Sequence, residues 1–157
     1  REMIIKLSDF LRYSISHTDE QMTSFKDEML NISRYLDIEK IRFGDRLEVI
    51  ENIDKQCLEK RLPGLILQPL VENAVKYGVY ESIDQAIIEI STSCNEDALK
   101  VKIRNDYNPD FTAKKGEGIG LKNIETRLGI IYKNENLMVI NKSNNTFEVS
   151  IIFPQED

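Results

Sequence analysis

Cysteine is scarce in this chain: Cys57 and Cys94 are the only two, they lie far apart, and neither has a CxxC neighbour. That spacing supports neither a metal knuckle nor a redox pair, and the expectation is two reduced thiols. Long apolar runs are also missing. No stretch approaches the roughly 20 residues that a membrane-spanning helix requires, and no basic segment leads into an apolar core as in a secretory signal. The chain as given is therefore expected to be soluble and to suit a reducing compartment. Histidine occurs once, as His17 in the polar run "SISHTDE", where an ordinary surface role is expected. Nor is there a basic block. With 21 basic against 27 acidic residues the formal charge is -6, and the acids are spread along the chain, so nucleic acid is not an expected partner.

What is present suffices for one packed domain with a helical extension: 157 residues, 41% of them hydrophobic, with no internal repeat or low-complexity segment. Ile4, Leu7, Leu11 and Ile15 recur at helical spacing, and after a polar break Phe25, Met29, Ile32 and Leu36 do so again. Phe43 extends the second stripe, and both stripes predict helix-helix packing within the chain or across a dimer. At "RFGDRLEVIENID" the period shifts towards two, predicting a strand. "LQPLVENAVKYG" is a helix with Pro69 in its first turn, where a missing N–H costs nothing. "QAIIEISTSC" and "ALKVKIRN" are strands, "DYNPDFTAKKGEG" is a long polar loop, and Ile119 opens another helix. "LMVIN" and "TFEVSIIF" close the chain as a β-hairpin. Helices segregated against a largely antiparallel sheet predict an α+β two-layer sandwich over residues 44–157, preceded by a helical segment over 1–43.

Two sets of residues carry possible chemistry. Gly116, Gly118 and Gly120 lie immediately ahead of a helical stripe, with Lys114 and Lys115 beside them. Glycines before a helix start permit tight turns, and the unpaired N–H groups there favour an anion such as phosphate. The same cluster is also what a simple turn would use. The second set is Asn73, Lys76 and Tyr77, three and four residues apart and so on one helical face. An amide oxygen ligates a hard cation without adding charge, a lysine meets phosphate as a point charge, and an aromatic ring offers a surface to a base or ribose. The alternative is a solvated surface strip. Neither set forms a P-loop or a dinucleotide fingerprint.

"LILQPLVENAVKYG" followed by "GEGIGLKNIETRL" resembles the ATP-binding region of bacterial sensor histidine kinases of the LytS/YesM-like family, in the GHKL ATPase superfamily. "LSDFLRYS" and "ISRYLDIEKIRFGDRL" resemble the segment that follows the phospho-acceptor motif in that family, so the likeness covers nearly the whole chain. The resemblance implies that Asn73 ligates Mg2+ and that Lys76 and Tyr77 contact the phosphates and the adenine-ribose region of ATP. It places Glu72 at the acidic residue before the metal asparagine. Gly116, Gly118 and Gly120, followed by Leu121 and Asn123, match the glycine box of a lid that closes over the phosphates, and the loop from Asp106 to Glu117 is expected to be mobile without nucleotide.

Two departures accompany this likeness. Where the family has an aspartate that accepts the adenine amino group, followed by two glycines, this chain has "NDYNP", so Asn105 stands in the aspartate's place with Asp106 beside it. The acceptor histidine of a Pro-His-Phe motif is absent, which implies a catalytic region lying downstream of it. The implied activity is phosphoryl transfer from ATP to an upstream histidine and thence to a response regulator, within a homodimer. The implied location is the cytoplasmic side of a bacterial inner or plasma membrane, reached only through upstream segments. Other roles open at this point are a nucleotide-sensing or structural dimerisation module, and an anti-sigma-like kinase acting on protein serine. Related hydrolases place a glutamate one turn before the metal asparagine; here Pro69 occupies that place, which implies little ATP hydrolysis.

Overall fold

The structure is a computed structural model and describes residues 2–16, 21–80, 84–107 and 119–156. Two helices open the chain, α1 (Glu2–Ser16) and α2 (Phe25–Phe43). α2 begins where the sequence supplies a cap: Ser24 is extended, and its Oγ accepts the N–H of Asp27 at 3.1 Å. Asp27 and Glu28 in the first turn and Lys40 and Arg42 in the last complement the helix dipole. The stripe Phe25, Met29, Ile32 and Leu36 is buried, whereas Ile4, Leu7 and Leu11 of α1 are 68%, 43% and 49% exposed. α1 lies along α2, with Lys6 Nζ 2.8 Å from Asp37 Oδ2.

The main sheet has five strands: β2 (Leu47–Asn52), β4 (Ala86–Cys94), β5 (Ala98–Asp106), β6 (Met138–Lys142) and β7 (Thr146–Pro154). They run in the order β2-β4-β5-β7-β6, with β2 parallel to β4 and every other pairing antiparallel. Alternation decides the faces. Ile88, Ile90, Val101, Ile103, Val149 and Ile151 point into the core, while Ile87, Lys100, Arg104 and Ile152 between them are exposed. The core is completed by the buried sides of α2, α3 (Gln68–Val75) and α4 (Ile119–Tyr132). This is the two-layer α+β sandwich that the sequence predicts. α2 belongs to its core, because Phe25, Ile32 and Leu36 lie in the same buried cluster as the sheet residues.

Two features are not anticipated by the sequence reading. β1 (Met22–Ser24) and β3 (Arg61–Pro63) form a small antiparallel ladder of three residues each, too short to show alternation. The second is a correction: Cys57 and Cys94 are not reduced thiols but a disulfide, with Cα atoms 5.8 Å apart. Nothing local in the sequence brings them together. Cys57 sits in a single helical turn, Lys55–Cys57, between β2 and β3, and Cys94 ends β4, so only the folded sheet makes them neighbours. Among the described residues no helix is long and apolar enough to cross a membrane.

Candidate functional site

α3 is the element that organises the site. Gln68 is its first residue and Pro69 lies in its first turn, where the ring's fixed φ suits the helix and no N–H bond is lost. The approach to it is unusual. Leu65 has a φ of +61°, a left-handed conformation rare outside glycine. Glu28 of α2 holds it there: one carboxylate oxygen accepts the N–H of Leu65 at 3.0 Å and the other that of Leu67 at 3.1 Å. Glu28 is fully buried, so a charged group from α2 satisfies backbone donors that the turn into α3 would otherwise leave unpaired. From the same side of α2, Asn31 Nδ2 donates to Gln68 Oε1 at 2.9 Å, and Gln68 Nε2 donates in turn to Glu72 at 2.8 Å.

One turn into α3, Leu70, Val71, Ala74 and Val75 are buried, leaving Asn73 half-buried beside them. Among the described residues the Asn73 amide makes no hydrogen bond. The amide is partly open to solvent and so is available to a ligand. Opposite it stands the start of α4: a Cβ built on Gly120 would lie 3.8 Å from Asn73 Nδ2. A groove of about 600 Å³ continues from there between the two helices, bordered by Leu65 and Pro69 on one side and Gly120, Asn123 and Arg127 on the other. Arg127 donates to the Gly64 carbonyl at 2.7 Å across it.

Beyond Val75 the helix widens into a π-helical turn, Lys76–Tyr80, a distortion common at functional sites. Lys76 is exposed, and its Nζ lies 5.1 Å from the Tyr77 ring centroid. Gly78 then passes close to the end of β5: a Cβ there would be 3.5 Å from the Asp106 carbonyl oxygen and 3.7 Å from Asn105 Cβ. Asn105 is 3% exposed, and its Nδ2 donates to the Asp106 carbonyl at 2.7 Å. Because a carbonyl only accepts, this bond fixes the amide's orientation and leaves Oδ1 as its acceptor. The Asp106 carboxylate accepts the Ile87 N–H at 2.9 Å and so serves the sheet.

The structure thus brings Asn73, Gly120, Lys76, Tyr77 and Asn105 around one helix. Glu72 is exposed on the adjoining face and Leu121 follows Gly120 on α4. Lys114, Lys115, Gly116 and Gly118 lie outside the described residues, as does His17. Sequence reasoning missed Glu28, Gln68 and Gly78. The signal for Gly78 was there, a glycine ending "VKYG"; for Glu28 none was, since its partners are 37 and 39 residues away.

The Histidine kinase family model matches residues 1–47. The Sensor histidine kinase YpdA of Escherichia coli (strain K12) is 32% identical over 141 residues, 84% of this chain and 25% of YpdA. Sensor protein LytS of Staphylococcus epidermidis (strain ATCC 12228 / FDA PCI 1200) is 24% identical over 98% of this chain and 28% of its own length. The chain is similar to sensor histidine kinases over nearly its whole length. It spans only about a quarter of the length of these two sensor kinases. In three dimensions the nucleotide-free catalytic domain of the histidine kinase ThkA superposes with a TM-score of 0.56 at 21% identity, covering 86% of this chain and 98% of that domain. That likeness establishes the shared fold. Within this likeness the chain has Asn105 at the end of β5 where the sequence comparison expects an aspartate, and Pro69 one turn ahead of Asn73.

Proposed function

We propose that this chain is the catalytic end of a sensor histidine kinase, with residues 44–157 as its ATP-binding domain and residues 1–43 as part of its dimerisation and phosphotransfer helices. In the whole protein it would pass the γ-phosphoryl group of ATP to an upstream histidine, and from there to an aspartate of a response regulator. The observation that supports this reading is the Asn73 amide, half-buried, without a hydrogen-bond partner among the described residues, and facing Gly120 at the start of α4.

The residues present fit magnesium and ATP. Asn73 offers a neutral, hard oxygen for the metal, and Glu72 is the acidic neighbour on the same turn. A bound Mg2+ would neutralise charge on the phosphates. Lys76 adds a point charge and Tyr77 an aromatic surface, and the Asn105 Oδ1 accepts a hydrogen bond from the base. Lys114, Lys115 and the glycines at 116, 118 and 120, with Leu121, close over the phosphates. The protein's share of phosphoryl transfer is positioning and electrostatics, which asks for no general base on α3. Pro69, with no ionisable group, is compatible with transfer to a histidine and unsuited to activating water. A homodimer joined through the exposed face of α1 and a membrane receptor upstream complete the reading.

Calorimetric titration with ATP in the presence of Mg2+ tests it. Wild type should bind saturably below millimolar nucleotide, and Asn73→Ala should bind about tenfold or more weakly, a loss of about 1.4 kcal/mol. Steady phosphate release by the wild type should stay at the level of Asn73→Ala. A folded wild type without saturable binding would leave the structural-module role instead.

A further inference from the structure

We infer that Cys57–Cys94 is a thiol–disulfide exchange site, entered at Cys94, that sets how firmly the start of α2 is anchored to the sheet. The two sulfurs differ in access. Cys57 is completely buried, whereas Cys94 is partly exposed and lies beside the exposed Asp54. Of the two residues only Cys94 presents surface to solvent, so a small thiolate attacks there.

The exchange balances in two steps. The thiolate of a low-molecular-weight thiol attacks Cys94 Sγ, forming a mixed disulfide there while the protein S–S bond breaks and Cys57 leaves and takes up a proton. A second thiolate of the same kind attacks the small-molecule sulfur of the mixed disulfide. The oxidised small disulfide departs, and Cys94 leaves as a thiolate and is protonated. The protein gains two electrons and two protons, and two thiols become one disulfide. The Asp54 carboxylate lies within 4.8 Å of both sulfurs, and its negative charge slows the approach of a thiolate.

The consequence follows from what the Cys57 turn holds. The carbonyls of Leu58 and Lys60, just after it, accept the first two N–H groups of α2, from Lys26 at 2.9 Å and Phe25 at 2.8 Å. One turn later on the same helix, Glu28 fixes the approach to α3. The disulfide thus ties the cradle of the α2 N-terminus to the end of β4. Without it the cradle keeps the Asp54 N–H bond to Thr92 Oγ1 and the reciprocal pair between Arg61 and Gln155, so reduction loosens residues 55–60 while leaving the fold intact.

The test uses the wild-type chain treated with a monothiol such as reduced glutathione, followed by alkylation, intact mass and amide exchange. Reduction under native conditions should yield two alkylated cysteines, and the amides of Phe25 and Lys26 should exchange about tenfold faster than in the oxidised protein. In the single variants, Cys94 of Cys57→Ser should form the glutathione adduct with an oxidised glutathione probe, and Cys57 of Cys94→Ser should do so about tenfold more slowly or not at all. Unchanged exchange at Phe25 and Lys26 after reduction, equal labelling of the two single variants, or free thiols in the protein after mild oxidation would each overturn the inference.

Discussion

At Asn105 the family's expected aspartate would not be a harmless replacement. Its Nδ2 donates to the Asp106 carbonyl at 2.7 Å while the residue is 3% exposed. Asn105→Asp would set a carboxylate oxygen against that carbonyl, two acceptors with no proton between them, in a buried place. The expected cost is about 1–3 kcal/mol of folding stability, read by urea denaturation at pH 7, even though the variant restores the family's usual residue type. Equal or greater stability of the variant would show that the amide bond contributes nothing. A second residue gives a pH-dependent prediction. The Tyr132 hydroxyl is buried and, among the described residues, has no hydrogen-bond partner. Burial pushes its pKa up to about 12, the Glu156 carboxylate adds to the rise and Arg127 opposes it. The folded value lies above the unfolded one of about 10, so the folded state holds this proton more tightly. Its contribution to stability is complete below pH 10 and lost as pH climbs from 10 towards 12. Tyr132→Phe should therefore match or exceed wild type at pH 7 and lose less stability between pH 10 and 11.5 in parallel denaturation series.

Between elements, the contact that matters most for the site is the one from α2 to the start of α3. Glu28→Gln would turn one of two carboxylate acceptors into a donor facing an N–H, with a stability loss of about 1–3 kcal/mol. Because the Leu65–Leu67 turn aims α3, nucleotide binding should weaken with it, and a variant as stable as wild type would remove this role from Glu28. Elements of this kind divide by how their evidence is distributed. The stripes of α1 and α2, Pro69 at the head of α3, the alternating β4 and β5 and the closing hairpin were all legible in sequence, because each leaves its signal in consecutive residues. So was the exceptional place of Asn73 among Leu70, Val71, Ala74 and Val75. The ladder of β1 with β3 was not, since three residues cannot show a period. Glu28 and the disulfide were not, since their meaning arises between residues some 37 apart in sequence that only the folded sheet and helices bring together. The π-helical turn after Val75 left no mark either, as its residues fit an ordinary helix equally well.

For the molecule as a whole, α1 poses the remaining question, because among its described side chains none enters the buried core. Met3, Ile4, Ile5, Leu7 and Leu11 are all at least 39% exposed, a run of apolar surface that a lone domain rarely leaves to water. Leu30 and Ile41 of α2 are likewise about half exposed. A second copy of the same helix, antiparallel or parallel, would cover such a face, in keeping with the dimer proposed for the intact protein. The chain should then sediment with a concentration-dependent mass rising towards twice its 18.2 kDa. Since the joined surfaces are apolar, added salt should not weaken this association, despite a net charge of -6 on each copy. The double variant Ile4→Asp with Leu7→Asp should stay monomeric throughout and unfold at the wild-type midpoint, because both side chains lie outside the core. If wild type and double variant gave overlapping sedimentation profiles at every concentration, self-association through α1 would be excluded. A lower unfolding midpoint for the double variant would instead mean that α1 supports the sandwich itself.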